Sequence, residues 1–409
     1  MKLILKLAWR NIWRNKRRSF LTLIAIAFAT FSAIAMRGMQ LGTYDENIKN
    51  AVEQFTGYLQ IQPKDYQKNP SLNKTIQLSA ELKTYLQNTN EITGYARRVY
   101  ADGLISYKDN SFGSAIFGII PNEEKNTTRI LDRLDKGKFF STDSTNEIVV
   151  GYQLLQNLGA ALGDEVVILA QGYDGTLGNM KFKIVGTVKL GSYEFDAMAV
   201  FMGLKKSQDL LAMYNKISVT AVSLNSLDVM PRIQTELKNY VDEEKEDVLN
   251  WHQLMPELDQ FIALDNVSGI FFLLILVVIV AFGILNTVLM SVTERFNEFG
   301  VTLAIGMRQI KLVTLIFIET MMLTLVGIIL GDIIGYAINA YIVANPFYFS
   351  GELASLYEEY GFLPVMKSSL DAGIFISVSG LVLIVSIISS IYPAVKTYKL
   401  EPLKGIRYT

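Results

Sequence analysis

"ERFNEFGVTLAIGMRQIK", residues 294–311, lies between two of the longest apolar stretches of the chain. Residues 270–290 before it carry no charge, and residues 312–340 after it hold only Glu319 and Asp332. The segment itself contains Glu294, Arg295, Glu298, Arg308 and Lys311, with glycines at 300 and 306. Charge of that density belongs outside hydrocarbon, so it reads as the short connection between two membrane spans.

A bilayer core of about 30 Å takes roughly 20 apolar residues in helix. Residues 20–36 (extendable to 41), 267–292, 312–343 and 374–392 meet that requirement. "SAIA" at 32–35 imitates a signal-peptidase site. The long, helix-like basic segment before it, with Trp9 and Trp13 as interface anchors, favours a retained span. Seven basic residues and no acid precede the first span: Lys2, Lys6, Arg10, Arg14, Lys16, Arg17 and Arg18. Lys396, Lys399, Lys404 and Arg407 follow the last, whereas the loop between the third and fourth spans carries Glu352, Glu358, Glu359 and Asp371 against Lys367. Positive residues favour the cytoplasmic side, so both termini and residues 294–311 are predicted there.

The expected fold class is an α-helical membrane protein with four transmembrane helices in a one–three arrangement. A large α+β extracytoplasmic domain is inserted between helices 1 and 2. The expected boundaries are a cytoplasmic-face amphipathic helix at 1–18, spans at 19–41, 266–292, 312–343 and 373–393, and an extracytoplasmic domain at 42–265. A coupling segment at 293–311, an external loop at 344–372 and a cytoplasmic tail at 394–409 complete it. The amphipathic reading of the N-terminus rests on basic residues recurring every fourth position, with Leu5, Trp9, Trp13 and Phe20 as apolar surface. Short β-like runs such as 58–62, 147–151 and 165–170 alternate with turn signals and helical stretches in the inserted domain.

Composition excludes several chemistries. The chain of 409 residues is half apolar and has no cysteine, which removes disulfides, cysteine metal sites and thiol catalysis. Its one histidine, His252, is accompanied by no G-x-S-x-G elbow and reads as structural. A formal net charge of −1 gives no case for nucleic acid. "QGYDGTLGNM" at 171–180 is glycine-rich, but no helix carrying a lysine follows it, so it reads as a hairpin tip rather than a phosphate cradle. No catalytic, metal or cofactor site is expected in this chain.

Within residues 294–311, Phe296, Phe299, Leu303, Met307 and Ile310 recur at helical spacing and form an apolar stripe rimmed by charge. Such a stripe outside the bilayer is a candidate partner surface. Gly327, Gly331 and Gly335 at four-residue spacing mark a helix-packing seam, with Gly38 outside that motif. Glu319 sits about 12 Å beyond Lys311 and Asp332 about 31 Å, near the far face. An intramembrane carboxylate needs a partner or a proton. A structural hydrogen bond is favoured for Glu319 over an ion pathway, and Asp332 is expected to be interfacial and solvated.

At these residues the chain resembles a known family. "TERFNEFGVTLAIGMRQIKLVTLIFIET" (293–320) is similar to the E-x-x-x-E-[FI]-G-x-x-x-A-I-G signature of FtsX-like, MacB-type (type VII) ABC transporter permeases. "SSIYPAVKTYKLEPLKGIRY" (389–408) resembles their ending through Pro393, Ala394, Pro402 and Arg407, and "LAWRNIWRNKRRSFLT" (7–22) resembles their N-terminal motif. Residues 147–204 are similar to the external domain of the lipoprotein-releasing permeases LolC and LolE. The resemblance implies a non-catalytic subunit whose coupling helix docks on a separate cytoplasmic ATPase, which binds the ATP and magnesium, since no G-x-x-x-x-G-K-[ST] occurs here. It implies ATPase-coupling roles for Glu294, Arg295, Phe296, Glu298, Phe299, Gly300, Leu303, Ala304, Ile305, Gly306 and Met307, with Leu303 and Met307 filling a groove on the partner. It further implies a second permease chain, alike or different, an inner-membrane location, a candidate periplasmic protein partner, and an inserted lobe at roughly 125–205. Lipoprotein release, export through a tripartite pump, and mechanical regulation of a cell-wall hydrolase all stay open as the task served.

Overall fold

The computed structural model describes residues 2–14, 16–191, 193–359 and 362–399. These form two compact units, a helical one from residues 2–45, 262–348 and 365–399, and an α+β one from residues 46–261 and 349–364. Pro402, Lys404 and Arg407 of the family-like ending lie outside the described residues.

The helical unit contains α1 (Lys2–Arg14), α2 (Lys16–Ala51), α3 (Pro256–Glu294), α4 (Phe296–Ala304), α5 (Gln309–Ala344) and α6 (Ala372–Tyr398). Four of these, α2, α3, α5 and α6, are long and apolar enough to cross a membrane. Ile26, Ile34, Ile284, Val288, Ile316, Ile328 and Val382 from all four share one buried core. The outward faces stay apolar, as Phe271, Phe272, Ile279 and Ile333 show, which suits a surface solvated by lipid.

The N-terminal helix ends sooner than its charge period predicts. It stops at Arg14, and Lys16, Arg17 and Arg18 belong to the first turns of α2 instead. Nor is α1 a helix that only lies on lipid: it packs against α5 and buries Ala8. Its other face exposes Leu5, Trp9 and Trp13.

The glycine strip of α5 faces α2. A Cβ on Gly327 would stand 2.7 Å from Ile26 Cγ2, on Gly331 2.5 Å from Thr30 Cβ, and on Gly335 2.8 Å from Ile34 Cγ2. Side chains of one helix thus occupy the space that glycine leaves on the other, the packing that replaces a hydrophobic driving force in lipid. Asn339 extends the seam, its Nδ2 donating to the Ile34 carbonyl at 3.2 Å. Gly38 lies in the same seam, because a Cβ there would meet Asn339 and Ser368. Across α5 and α6, Thr324 and Ser386 share a hydroxyl hydrogen bond of 2.6 Å, and Ser379 donates to Asp332 at 2.8 Å. Asp332 is therefore half-buried and bonded between helices, not simply solvated as the sequence suggests.

The α+β unit is a ten-stranded sheet with two parts joined by one long strand. Strands β1 (Leu59–Pro63), β2 (Ile92–Tyr107), β9 (Val219–Leu224) and β10 (Glu246–Asn250) pair antiparallel in the order β10-β1-β9-β2. Helices Ala80–Asn88 and Met230–Lys238 connect them, which is a βαββαβ arrangement opened between β2 and β9. The opening holds β3 (Asn110–Ile119), β4 (Leu134–Gly137), β5 (Glu147–Gly151), β6 (Glu165–Gln171), β7 (Leu177–Val188) and β8 (Ala199–Gly203). Since β3 pairs with the far half of β2 and with β8, the inserted lobe begins before residue 125. The glycine-rich 171–180 stretch is a hairpin tip, with Gln171 opposite Leu177 and Gly172 N–H donating to the Thr176 carbonyl at 2.7 Å.

A fully buried ion pair braces this unit. Arg98 of β2 donates to Glu124 of helix Pro121–Thr127 at 2.7 and 2.9 Å, and Thr128 adds a hydroxyl donor to Glu124 at 2.6 Å. Arg98 also donates to the Phe55 carbonyl and covers the Phe55 ring at 3.9 Å. Burial alone would depress the guanidinium, but the charge of Glu124 and the Tyr100 hydroxyl outweigh it, and the net shift is upward. Arg98 therefore stays charged.

The seam makes a direct test. Gly331→Leu forces a bulky side chain into Thr30 and is expected to destabilise the purified chain by about 1–3 kcal/mol or more. Gly283→Leu on α3 meets nothing within 4 Å and serves as the control. Equal melting temperatures for the two variants in detergent would show that α2 does not pack on this strip.

Candidate functional site

Residues 294–311 do not form one helix. Arg295, at φ −106° and ψ 11°, separates α3 from α4, and Gly306 at φ +102° ends α4. Its positive φ closes the last turn, with the Gly306 N–H on the Leu303 carbonyl and the Met307 N–H on the Thr302 carbonyl. Met307 and Ile310 therefore leave the helix that carries Phe299 and Leu303, and the stripe read from the sequence is divided.

Its larger part also faces inward. Phe299 is 2% exposed and Leu303 9%, both in the core shared with α2, α3, α5 and α6. Gly300 is buried beside them, and Phe296 packs against the same core. Leu303 is thus not available to a partner in this arrangement, contrary to expectation, because α4 is short and needs a buried face of its own to be held. The opposite side presents Val301, Ala304 and Ile305, with Ile305 83% exposed and Met307 half-buried at their edge.

The charged rim closes on the chain itself. Arg14 of α1 donates to Glu298 at 2.8 Å, and Arg18 of α2 donates to Glu294 at 3.0 Å. Arg295 reaches Glu319 on α5 at 3.2 Å and Glu298 at 3.3 Å, and stands over the Phe299 ring at 4.8 Å. Three arginines thereby meet three glutamates around one short helix. Arg14 holds the Glu298 carboxyl below the usual carboxylate range by its hydrogen bond. That pair is present at neutral pH and is lost only as pH falls through the lowered value.

The pairs differ in strength. Arg14 and Glu298 are each 52% exposed, a surface pair contributing about 0–1 kcal/mol. Arg295 and Glu319 are only 12% and 15% exposed, so removing either partner leaves a poorly hydrated charge. Beside them lies a cavity of about 40 Å³, lined by Asn11, Arg18, Thr22, Thr287, Arg295 and Glu319. The buried Nη2 of Arg18 has no protein hydrogen bond, and the cavity has room and polar neighbours for water. Glu319, the intramembrane acid of the sequence, is thus paired with Arg295 at the break between α3 and α4.

Elsewhere, His252 Nδ1 and the Asp259 carboxylate share a hydrogen bond of 2.6 Å, in which the carboxylate accepts, and the imidazole stacks on Trp251 at 3.7 Å. The participation of Arg14 and Arg18 escaped the sequence reading, since their partners are 284 and 276 residues away. Only the four-residue spacing Arg14–Arg18, matched by Glu294–Glu298, carried a hint of it.

A double-mutant cycle measures the buried pair. Arg295→Met should lower the melting temperature of the purified chain more than Glu319→Gln, because the amide keeps a hydrogen-bonding group. The double variant should recover part of the loss, with a coupling of about 1 kcal/mol or more. Strictly additive effects would remove the pair from the account.

The family model of the MacB-like periplasmic core domain matches residues 19–240, more than half of the chain, and that of the FtsX-like permease C-terminal region matches residues 270–402. The lipoprotein-releasing system transmembrane protein LolC of Neisseria meningitidis serogroup B is 20% identical over 414 residues, covering 97% of this chain and 96% of that protein. The macrolide export ATP-binding/permease protein MacB of Escherichia coli is 22% identical over 353 residues, 82% of this chain and 52% of its own length. Among solved structures, the periplasmic region of MacB from Actinobacillus actinomycetemcomitans aligns with a TM-score of 0.38 and 13% identity over 52% of this chain and 98% of that one. With its periplasmic core and permease regions matched in that order along one membrane chain, the protein belongs to the MacB-like and FtsX-like family of ABC transporter permeases.

Proposed function

We propose that this permease couples ATP hydrolysis by a separate cytoplasmic ATPase to movement of its α+β unit outside the membrane, in the service of lipoprotein release or export of another amphipathic substrate. The observation that carries it is the state of α4: clamped into its own chain on one side, with Ile305, Val301 and Ala304 left exposed by the described residues on the other. An exposed apolar ridge on a rigidly held short helix is a docking surface that passes on the force it receives.

In this reading both termini and α4 face the cytoplasm, and the chain has one span, an external domain and three further spans. Support comes from the basic flanks of α2 and α6. The ATPase supplies ATP and magnesium binding, and MacB, whose name joins ATP binding to permease, is matched over only 52% of its length. A second permease chain completes the assembly. Helix α2 runs unbroken from Lys16 to Ala51 and continues as a π-turn, Val52–Thr56, in which Phe55 is held by Arg98. Lipoprotein release is preferred because LolC matches across nearly both full lengths.

The chain has no native cysteine, so single cysteines report cleanly. Asn179→Cys should react with an impermeant maleimide added to spheroplasts. Ile305→Cys should react only after permeabilisation, and should be protected when the ATPase is co-expressed. Labelling of Ile305→Cys from outside would reverse the orientation, and labelling indifferent to the ATPase would remove the docking role.

A further inference from the structure

The basic residues of the N-terminus divide into two sets. Arg14 and Arg18 are taken up by Glu298 and Glu294. Lys6, Arg10, Lys16 and Arg17 are exposed and have no ion-pair partner among the described residues. Two of these, Lys16 and Arg17, open the first turn of α2, which contains no acid. Cations at a helix N-terminus meet the positive end of the helix dipole, so this turn is electrostatically unfavourable until an anion joins it.

A groove of about 380 Å³ opens at the same place, where α1 gives way to α2. Ile12, Trp13, Lys16, Arg17, Ser19 and Phe20 line it. Trp13 is 55% and Phe20 62% exposed, and Trp9 packs edge-on against Trp13 with ring centroids 6.0 Å apart. One end of the groove is aromatic and apolar, the other carries two free cations and a hydroxyl. A soluble anion would use only the charged end. A molecule with an acyl chain and an anionic headgroup uses both, and the bilayer supplies it at the depth where tryptophan and arginine gather.

We propose that this elbow binds an anionic phospholipid, its phosphate on Lys16 and Arg17 and its upper acyl chain against Ile12, Trp13 and Phe20. The bound lipid neutralises the start of α2 next to Arg18, the residue that holds Glu294 of the α3–α4 junction. The site rests on α2 being a membrane span, and does not depend on which side of the membrane the elbow occupies.

Tryptophan quenching tests it on the full chain. Trp9→Phe and Trp251→Phe leave Trp13 as the one fluorophore, since the chain has three tryptophans. The protein is reconstituted in equimolar phosphatidylcholine and phosphatidylglycerol, with bromine on the acyl chains of one lipid or of the other. Brominated phosphatidylglycerol should quench Trp13 with an apparent preference of about fivefold or more, the factor of roughly one basic residue at a membrane surface. The preference should shrink in high salt and vanish in Lys16→Gln/Arg17→Gln. Equal quenching by both lipids would overturn the headgroup site while leaving α1 and α2 in contact with lipid. Quenching by neither would overturn it in favour of a protein occupant, a second copy or the ATPase. Because both lipids are compared on one protein, the result does not depend on the variant folding.

Discussion

A carboxylate in an apolar helix has to be answered, and in this chain Arg295 answers Glu319. Left alone, an acid at that depth costs several kcal/mol. Paired, it fixes the start of α4 against α5, because Arg295 stands at the break between α3 and α4 and reaches Glu319 at 3.2 Å. The same guanidinium touches Glu298 and covers Phe299. Orientation of α4 follows from that one residue: Phe299 and Leu303 turn into the bundle core, and Val301, Ala304 and Ile305 turn out. The pairs of Glu298 with Arg14, exposed, and of Glu294 with Arg18, partly buried, then add the ends of α1 and α2 to the clamp. The exposed Arg14–Glu298 pair adds little to stability.

Helix α2 takes part in most of these contacts. Glycines of α5 admit its side chains along three turns, so the two helices are closely packed. Near its first turn it bonds to α3 through Thr22 and Thr287 at 3.2 Å. Beyond Ala51 its π-turn brings Phe55 into an aromatic cluster with Tyr100, Phe117 and Phe201, closed by the buried Arg98. A buried ion pair contributes little net stability over apolar residues, yet loss of either partner is expensive. Such a pair holds β2 and helix Pro121–Thr127 of the α+β unit in one geometry.

Much of this was legible in the sequence where the signal is local. Four apolar runs, a large α+β unit, the hairpin at 171–180 and close packing at Gly327, Gly331 and Gly335 all follow from periodicity and composition. What escaped depends on distant neighbours. A glycine strip says that something packs closely but not what, so Gly38 passed as an outsider although it lies in the seam. An apolar stripe at helical spacing says that one face is buried, not by whom, and Leu303 read as a partner contact is a core residue. The left-handed turn at Gly306 divides that stripe, and glycine alone announces permission for such a turn rather than its occurrence. "YARRVYA" reads as an ordinary strand, with no sign that Arg98 is buried on Glu124 while Arg97 beside it pairs with Glu123 at the surface.

The central claim is that α4 has an inner face belonging to this chain and an outer face belonging to the ATPase. Site-specific photo-crosslinking separates the two most directly, with a benzophenone amino acid placed at Leu303 or at Ile305 and the ATPase co-expressed. The account predicts a crosslinked permease–ATPase band from Ile305 and none from Leu303, whose crosslinks stay within the permease. A band from Leu303 with none from Ile305 would contradict it, and would mean that α4 is turned over when the complex forms.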